Sequence, residues 1–386
     1  MVSGVNNVRK SLILIFLLIL GLAIFTGCSG KESVSDSPTA STGSEMVESG
    51  GEQLTEEAVA ELKDNQLEEV NEDQLEGQLN NNIAGVDSKR EAVYYSPFTG
   101  KPLREKVLVK AVMASIENSP PARPQSGLGE ASLVYEFLVE GGITRFLALY
   151  WEEIPDKIGP IRSVRPYLIE TALEYDALLL HAGASPAGFD MLARTKISHL
   201  DQIYHGSYYW RSSLREAPHN LYTGGFKIKS YLSKLTGQEY GSRFSFQQIS
   251  FIEPEDIRAN KIYLNYWGSY RVCYRFDETK NLYYRYLADF NHPHLTAEGK
   301  QLTARNIIVQ FVDTGVIDSV GRLKMTLTGK GESLVFRDGI VIKGYWEKKG
   351  KNWTKYFNEE GKEIKLNPGK TWIQIVPRST RINYEE

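Results

Sequence analysis

Residues 131–151 read ASLVYEFLVEGGITRFLALYW. Two runs rich in β-branched, aromatic and leucine side chains flank Gly141-Gly142. Glycine tolerates the positive φ that a tight reversal needs, so the stretch predicts an antiparallel hairpin. Upstream, VLVKAVMASI (107–116) reads as another strand. Downstream, ALLLHAGAS (177–185) is a continuous apolar run, which fits a strand buried on both faces. Between hairpin and run, RPYLIETALEY (165–175) reads as a helix with Pro166 in its first turn, where the missing N–H costs nothing. PAGFDMLARTK (186–196) and KIKSYLSKLT (227–236) read as further helices.

Beyond about Phe246 strands dominate. YRVCYRFD (270–277) and LYYRYLAD (282–289) flank the turn Glu278-Thr279-Lys280-Asn281. RNIIVQFVD, LKMTLT, SLVFRDG, VIKGYWEK, KYFNEEGKEI and KTWIQIVP follow, spaced by Gly, Asn or Pro. The folded part begins near Val93, and its roughly 290 residues exceed the usual size of one hydrophobic core. The expected fold class is α+β: a layered mixed α/β first domain over 92–240, carrying a candidate cleft, and a smaller β-rich second domain over 241–386.

The N-terminus has a different character. Arg9-Lys10 precede an apolar run from Leu12 to Phe25 that ends in Thr26-Gly27-Cys28. A charged start, a short apolar core and small residues before a cleavage point make a secretory signal peptide, 1–27. The run is shorter than the roughly 20 residues that cross a bilayer as a helix. A cysteine at this point resembles the bacterial lipobox, which implies lipidation of Cys28 by fatty-acyl groups such as palmitate. Residues 29–91 hold 16 acids against 4 bases, leaving 39 bases against 32 acids in 92–386. The segment 28–91 therefore reads as an acidic disordered tether, and the body as basic. A basic body outside the cytoplasm suits an anionic partner. The second cysteine, Cys273, lies in a strand-like run and reads as a packed thiol, so no disulfide is expected.

Chemistry-capable residues gather at strand ends and loops of the first domain. His181-Ala182-Gly183-Ala184-Ser185 places a His and a Ser beside a small-residue turn opening a helix, a place for an anion. The loop HGSYYWRSSLREAPHNLYT (205–223) offers His205, Tyr208, Tyr209, Trp210, Arg211, His219, Asn220 and Tyr222, flat apolar faces beside donors. It also reads as a loop packing its own aromatics. Arg162 and Arg165, with Arg145, form a clamp for carboxylate or phosphate if they share a cleft, or pair internally with Glu136 and Glu140. Candidate catalytic groups are His181, His219, Glu140 and Asp201; Glu136 and Glu140 share one strand face, as a carboxylate pair for glycoside chemistry does. Ser185 with His181 lacks the G-x-S-x-G elbow. His199/His205 and His292/His294 are the only histidine pairs to weigh as metal ligands, without H-E-x-x-H or a cysteine cluster, so no metal and no cofactor is expected. No phosphate-cradling glycine loop and no nucleic-acid motif is present.

The runs SPFTGKPL (96–103), ARPQSGLGEASLVYEFLVEGGITRFLALY (122–150), KIGPIRSVRPY (157–167), YDALLLHAGASP (175–186) and APHNLYT (217–223) resemble the YerB-like bacterial lipoproteins. VFRDGIVIKGYW and LNPGKTWIQIVP look like that family's second domain. Phe98 and Ala184 stand where the family pattern has Leu and Gly. The resemblance covers nearly all of 94–377. It implies a lipoprotein of Gram-positive-type bacteria with an α/β first domain and a β-rich second. The family has no established activity, so it lends no catalytic residues.

The expected function is that of a membrane-anchored extracytoplasmic lipoprotein, held by lipid at Cys28, which binds a cell-wall polymer such as peptidoglycan or an anionic wall polymer, or else a wall-synthesis protein. The alternative is a wall glycan or peptide hydrolase or transferase using His181, His219 and a carboxylate. Convergence of those groups in one cleft favours the enzyme; polar groups paired among themselves favour binding.

Overall fold

The Gly-Gly hairpin sits at the centre of a large sheet in the computed structural model, which describes residues 93–386 apart from Ile249, Phe251, Ser269 and the side chain of Trp267. The expected signal peptide, Cys28 and the tether over 28–91 lie outside the described residues. Strands β1 (Val112–Glu117), β2 (Leu133–Leu138) and β3 (Thr144–Tyr150) are buried along their whole length. β2 pairs with β3 from Leu133 opposite Leu149 to Leu138 opposite Thr144, and β3 pairs with β1, setting Arg145 opposite Glu117. The reversal takes residues 139–143, with φ of 74° at Gly141 and 71° at Gly142. The expected strand over 107–116 begins only at Val112, because Leu108 and Val109 are exposed.

Helix α1 (Pro166–Glu174) starts at its proline, as read. β4 (Leu178–His181) follows, then α2 (Pro186–Thr195), β5 (His199–Asp201) and α3 (Gly225–Leu232). β4 lies parallel to β1 and β5 parallel to β4, so the sheet ends in a small parallel edge.

Apart from three short two-stranded ribbons, the remaining strands of the described residues are β6 (Lys261–Trp267), β7 (Tyr270–Asp277), β8 (Leu282–Leu287), β9 (Thr303–Ala304), β10 (Asn306–Val312), β11 (Gly329–Arg337), β12 (Ile340–Lys348), β13 (Lys355–Asn358), β14 (Thr371–Pro377) and β15 (Arg381–Glu385). Five of them extend the first segment's sheet, which runs β13-β12-β11-β10-β14-β2-β3-β1-β4-β5. The join is β14, parallel to β10 on one side and to β2 on the other, with Thr371 opposite Leu133. The sheet is therefore continuous across residue 240, and the described residues fall in one compact unit. A second sheet runs β9-β8-β7-β6-β15. Among the described residues strand makes up 41% and helix 12%, so the fold is mostly sheet, and the layered arrangement of helices expected for the first domain is not established by it. Among the described residues no helix is long and apolar enough to cross a membrane.

A buried ionic network ties the two sheets together. Glu136 on β2 and Arg285 on β8 are fully buried, with Arg285 Nη2 at 2.9 Å from Glu136 Oε2. The contact is too bent to be a hydrogen bond. The other oxygen, Oε1, accepts from Thr144 Oγ1 at 2.7 Å and Tyr270 OH at 2.8 Å. Arg285 donates to Tyr274 OH at 2.6 Å and to His294 Nδ1 at 3.0 Å, and stacks over Trp372. Because His294 Nδ1 accepts, its Nε2 carries the proton and donates to Gln125 at 2.9 Å. Burial, with the Arg285 charge, holds His294 neutral, its pKa well below the usual range.

Candidate functional site

Glu117 ends β1, and its side chain is only 2% exposed. A lone carboxylate in such a place needs partners. Three converge on it. His219 Nδ1 lies 3.0 Å from both carboxylate oxygens, and since a carboxylate only accepts, Nδ1 carries the proton and donates. Ser119 Oγ donates to Oε1 at 2.7 Å. Arg162 Nε stands 3.3 Å from Oε2 as an ion contact without hydrogen-bond alignment. His219 and Arg162 are 24% and 29% exposed, so their far edges face solvent while Glu117 does not. His219 Nε2 has no partner among the described residues.

The cluster continues across the sheet. Arg145, opposite Glu117, donates through Nη1 to Ser163 O at 2.6 Å, and its buried Nε has no partner. Burial and the charge of Arg165 lower its pKa to about 10. Arg165 grips Glu140 with two guanidinium nitrogens, Nε at 3.1 Å and Nη2. Burial alone would raise the Glu140 pKa, but the bond from Arg165 keeps it below the usual value. Three arginines thus face two carboxylates, an excess of one positive charge at the ends of β1, β2 and β3.

The other expected residues have their own partners. His181 is fully buried; its Nδ1 donates to Gly183 O at 2.9 Å, so its Nε2 accepts from His199 Nδ1 at 3.0 Å. Burial lowers its pKa to about 4. Asp201 Oδ1 accepts the Gly183 and Ile203 N–H groups at 2.8 and 3.1 Å, fixing the loop after β4. His181, Glu140, Asp201 and His219 therefore do not share hydrogen bonds, and the expected catalytic grouping of His181 with His219 does not form. Glu136 and Glu140 make no catalytic pair either: one is sealed against Arg285, the other clamped by Arg165. Ser185 caps α2, accepting the Gly188 N–H at 3.2 Å.

The aromatic loop packs largely on itself and on α3. Trp210 stacks near Tyr222 and Phe226, Tyr208 meets Tyr231 edge-on, and the Tyr209 hydroxyl donates to Leu200 O. Arg211 donates to Asn220 Oδ1 at 2.8 Å, and the Asn220 amide holds the backbone at Ser212 and Arg215. The ring of His205 lies beside Tyr208, and its Nδ1 has no partner. His292 pairs with Asp289 on the surface while His294 is buried, so these two do not form a site. Among the described residues no group of three metal-ligating side chains converges.

Glu117 and Ser119 escaped the sequence reading. Their signal was present: an acid closing an apolar strand run, followed by Asn118-Ser119-Pro120-Pro121, marks a strand end that cannot continue. What was not visible is that His219, a hundred residues away, arrives there.

Comparisons with known proteins agree on one family. The model described as "Protein of unknown function (DUF3048) N-terminal domain" matches residues 98–239, and its C-terminal counterpart matches 262–373. A Bacillus subtilis (strain 168) protein named "Putative lipoprotein YerB" is 32% identical over 295 residues, covering 73% of this chain and 86% of the relative. The crystal structure of YerB from Bacillus subtilis superposes with a TM-score of 0.67 at 30% identity, over 75% of this chain and 99% of that one.

Proposed function

The chain belongs to the two-part, YerB-like family that these models describe, and on that premise we propose that it is a membrane-anchored extracytoplasmic lipoprotein that binds an anionic cell-wall polymer. The lipid-bearing residue in this reading is Cys28, the signal peptide is 1–27, and the acidic segment 28–91 holds the body off the membrane. The observation that carries the binding reading is the Glu117 cluster. It presents partly exposed Arg162 and His219 edges, backed by Arg145 with an unsatisfied Nε, and an excess of positive charge. A carboxylate or phosphate arriving there meets the Arg162 guanidinium already held in place beside Glu117, so little ordering cost falls on that contact.

The hydrolase reading draws on one observation, the Glu117–His219 contact. A carboxylate fixing Nδ1–H leaves Nε2 as a base toward solvent. No nucleophile faces that nitrogen among the described residues: Ser119 approaches the Nδ1 side and gives its proton to Glu117. Binding is therefore the better-supported reading. The test is to mix the whole chain in non-ionic detergent with purified wall material, pellet it, and assay the supernatant. Retention that falls with added salt, with no soluble fragments released, supports binding. Fragment release that His219→Asn abolishes supports the hydrolase. Absence of both retention and release refutes the proposal.

A further inference from the structure

Two stretches that take no part in the Glu117 cluster meet elsewhere. Thr99, in SPFTGKPL, accepts through its carbonyl the N–H of Gly369, in LNPGKTW, at 2.7 Å. Beside this junction lies a cavity of about 450 Å³, within the range of small-molecule sites. Its charged lining residues are Lys101, Lys280, Arg305 and Lys370 against Glu130 and Glu152. Lys280 is engaged, 3.6 Å from Asp277 and 2.9 Å from Tyr284 OH. Glu152 accepts from Thr99 Oγ1.

The other cations are less committed. Lys370 Nζ donates to Gly129 O, and among the described residues no carboxylate lies within ion-pair distance of it. Its buried ammonium has a pKa lowered to about 8, burial outweighing the pull of Glu130. Arg305 donates Nη1 to Asn281 O at 2.6 Å, but its Nε is buried with no partner. The backbone is shaped to keep this arginine close. Gly369 has φ of 146°, and a Cβ there would stand 2.8 Å from Arg305 Cβ, so glycine alone fits. Thr99, Ser132 and Thr303 add hydroxyls to the lining, beside the apolar Ala131, Leu282 and Pro368.

We infer that this cavity binds a phosphate monoester carried on a small polar body, a polyol or sugar phosphate, with Lys370 and Arg305 Nε on the phosphate and Lys101 at the mouth. The excess of two positive charges matches a dianion. The volume and the hydroxyl lining suit a hydroxylated body attached to it. This site is separate from the Glu117 cluster. Ser132 precedes β2 and Glu140 follows it, so the two sites stand at opposite ends of that strand, roughly 20 Å apart.

The test is titration calorimetry of the whole chain in non-ionic detergent with glycerol 1-phosphate, inorganic phosphate and acetate. Glycerol 1-phosphate should bind saturably and most tightly. Lys370→Met should weaken it about tenfold or more, the loss of one charge-assisted contact. Ser132→Asp should weaken it at least fivefold while the isosteric Ser132→Asn stays within twofold, a comparison that holds even if Lys370→Met fails to fold. Lys370→Met should weaken binding by the same factor in wild type and in an Arg162→Gln background, so failure here is distinct from failure at the Glu117 cluster. Absence of saturable binding, acetate binding as tightly as the phosphates, inorganic phosphate binding better than glycerol 1-phosphate, or equal affinities for the Asp and Asn variants would each overturn the inference.

Discussion

Replacing Glu136 by Gln tests whether the two family segments fold as one body. Glu136 comes from the first segment and Arg285 from the second, and neither side chain touches solvent. In the variant Arg285 keeps its bonds to Tyr274 and His294, but its charge loses the carboxylate at 2.9 Å. Leaving one member of a buried ion pair uncompensated costs about 3–5 kcal/mol. Arg285→Met should cost a similar amount by stranding Glu136. The double variant removes both charges, so its cost should fall short of the sum of the single costs by about 2 kcal/mol or more. The assay is urea unfolding of the Cys28→Ala chain, followed by tryptophan fluorescence, with Trp151 in the first segment and Trp372 in the second. All variants should show one transition. A Glu136→Gln cost below about 1 kcal/mol, strict additivity, or separate transitions for the two segments would refute the reasoning.

Protonation of buried histidine should weaken the fold in acid. The native pKa of His181, about 4, lies below its ordinary value, so the unfolded chain takes up the proton first. Stability is complete above about pH 6.5 and is lost as pH falls toward 4, by up to about 3 kcal/mol for this residue. His181→Gln should flatten that part of the pH–stability curve; an unchanged slope contradicts the assignment. Cys273 is fully buried, and burial pushes its thiol up to about 11, so a thiol reagent at pH 8 should label it only at the rate of unfolding. Rapid labelling of the native Cys28→Ala chain would show the strand to be open. Lipidation at Cys28 predicts that Cys28→Ala moves the protein from the membrane fraction to secreted or uncleaved forms; mature wild-type protein with an unmodified Cys28 yet membrane-retained would contradict it.

Local elements were legible because their signals are local. The Gly-Gly hairpin, the proline-started helix α1 and the apolar β4 each follow from neighbours in sequence. β6 was missed although Ile262, Leu264 and Tyr266 alternate with more exposed residues, the period of a half-buried strand. The continuity of the sheet had no local signal. It depends on Thr371 pairing with Leu133 in parallel, and no pattern in either strand names its distant partner. The candidate site divided in the same way. Sequence marked Arg162, Arg165 and His219 as unusual polar residues; of the two open readings of the arginines, internal pairing holds for Arg165 with Glu140, while Arg162, partly exposed, meets Glu117 instead, and the ligand clamp stays a proposal. The carboxylate that organises the site stayed hidden because it terminates an otherwise apolar strand, where an acid reads as an edge residue.

The central claim, that the Arg162–His219 edge above Glu117 holds an anionic wall polymer, is tested most directly by one comparison. The affinity of the whole chain for purified wall polymer is measured at low and high salt, for wild type and for Arg162→Gln with His219→Gln. Wild type should bind, and its affinity should drop as salt screens the charges. The double variant should bind about tenfold or more weakly, with a shallower salt dependence, when both proteins are measured well below their unfolding midpoints; its own midpoint should fall, because Glu117 loses two of its three partners. Equal affinity and equal salt dependence in the two proteins would contradict the account.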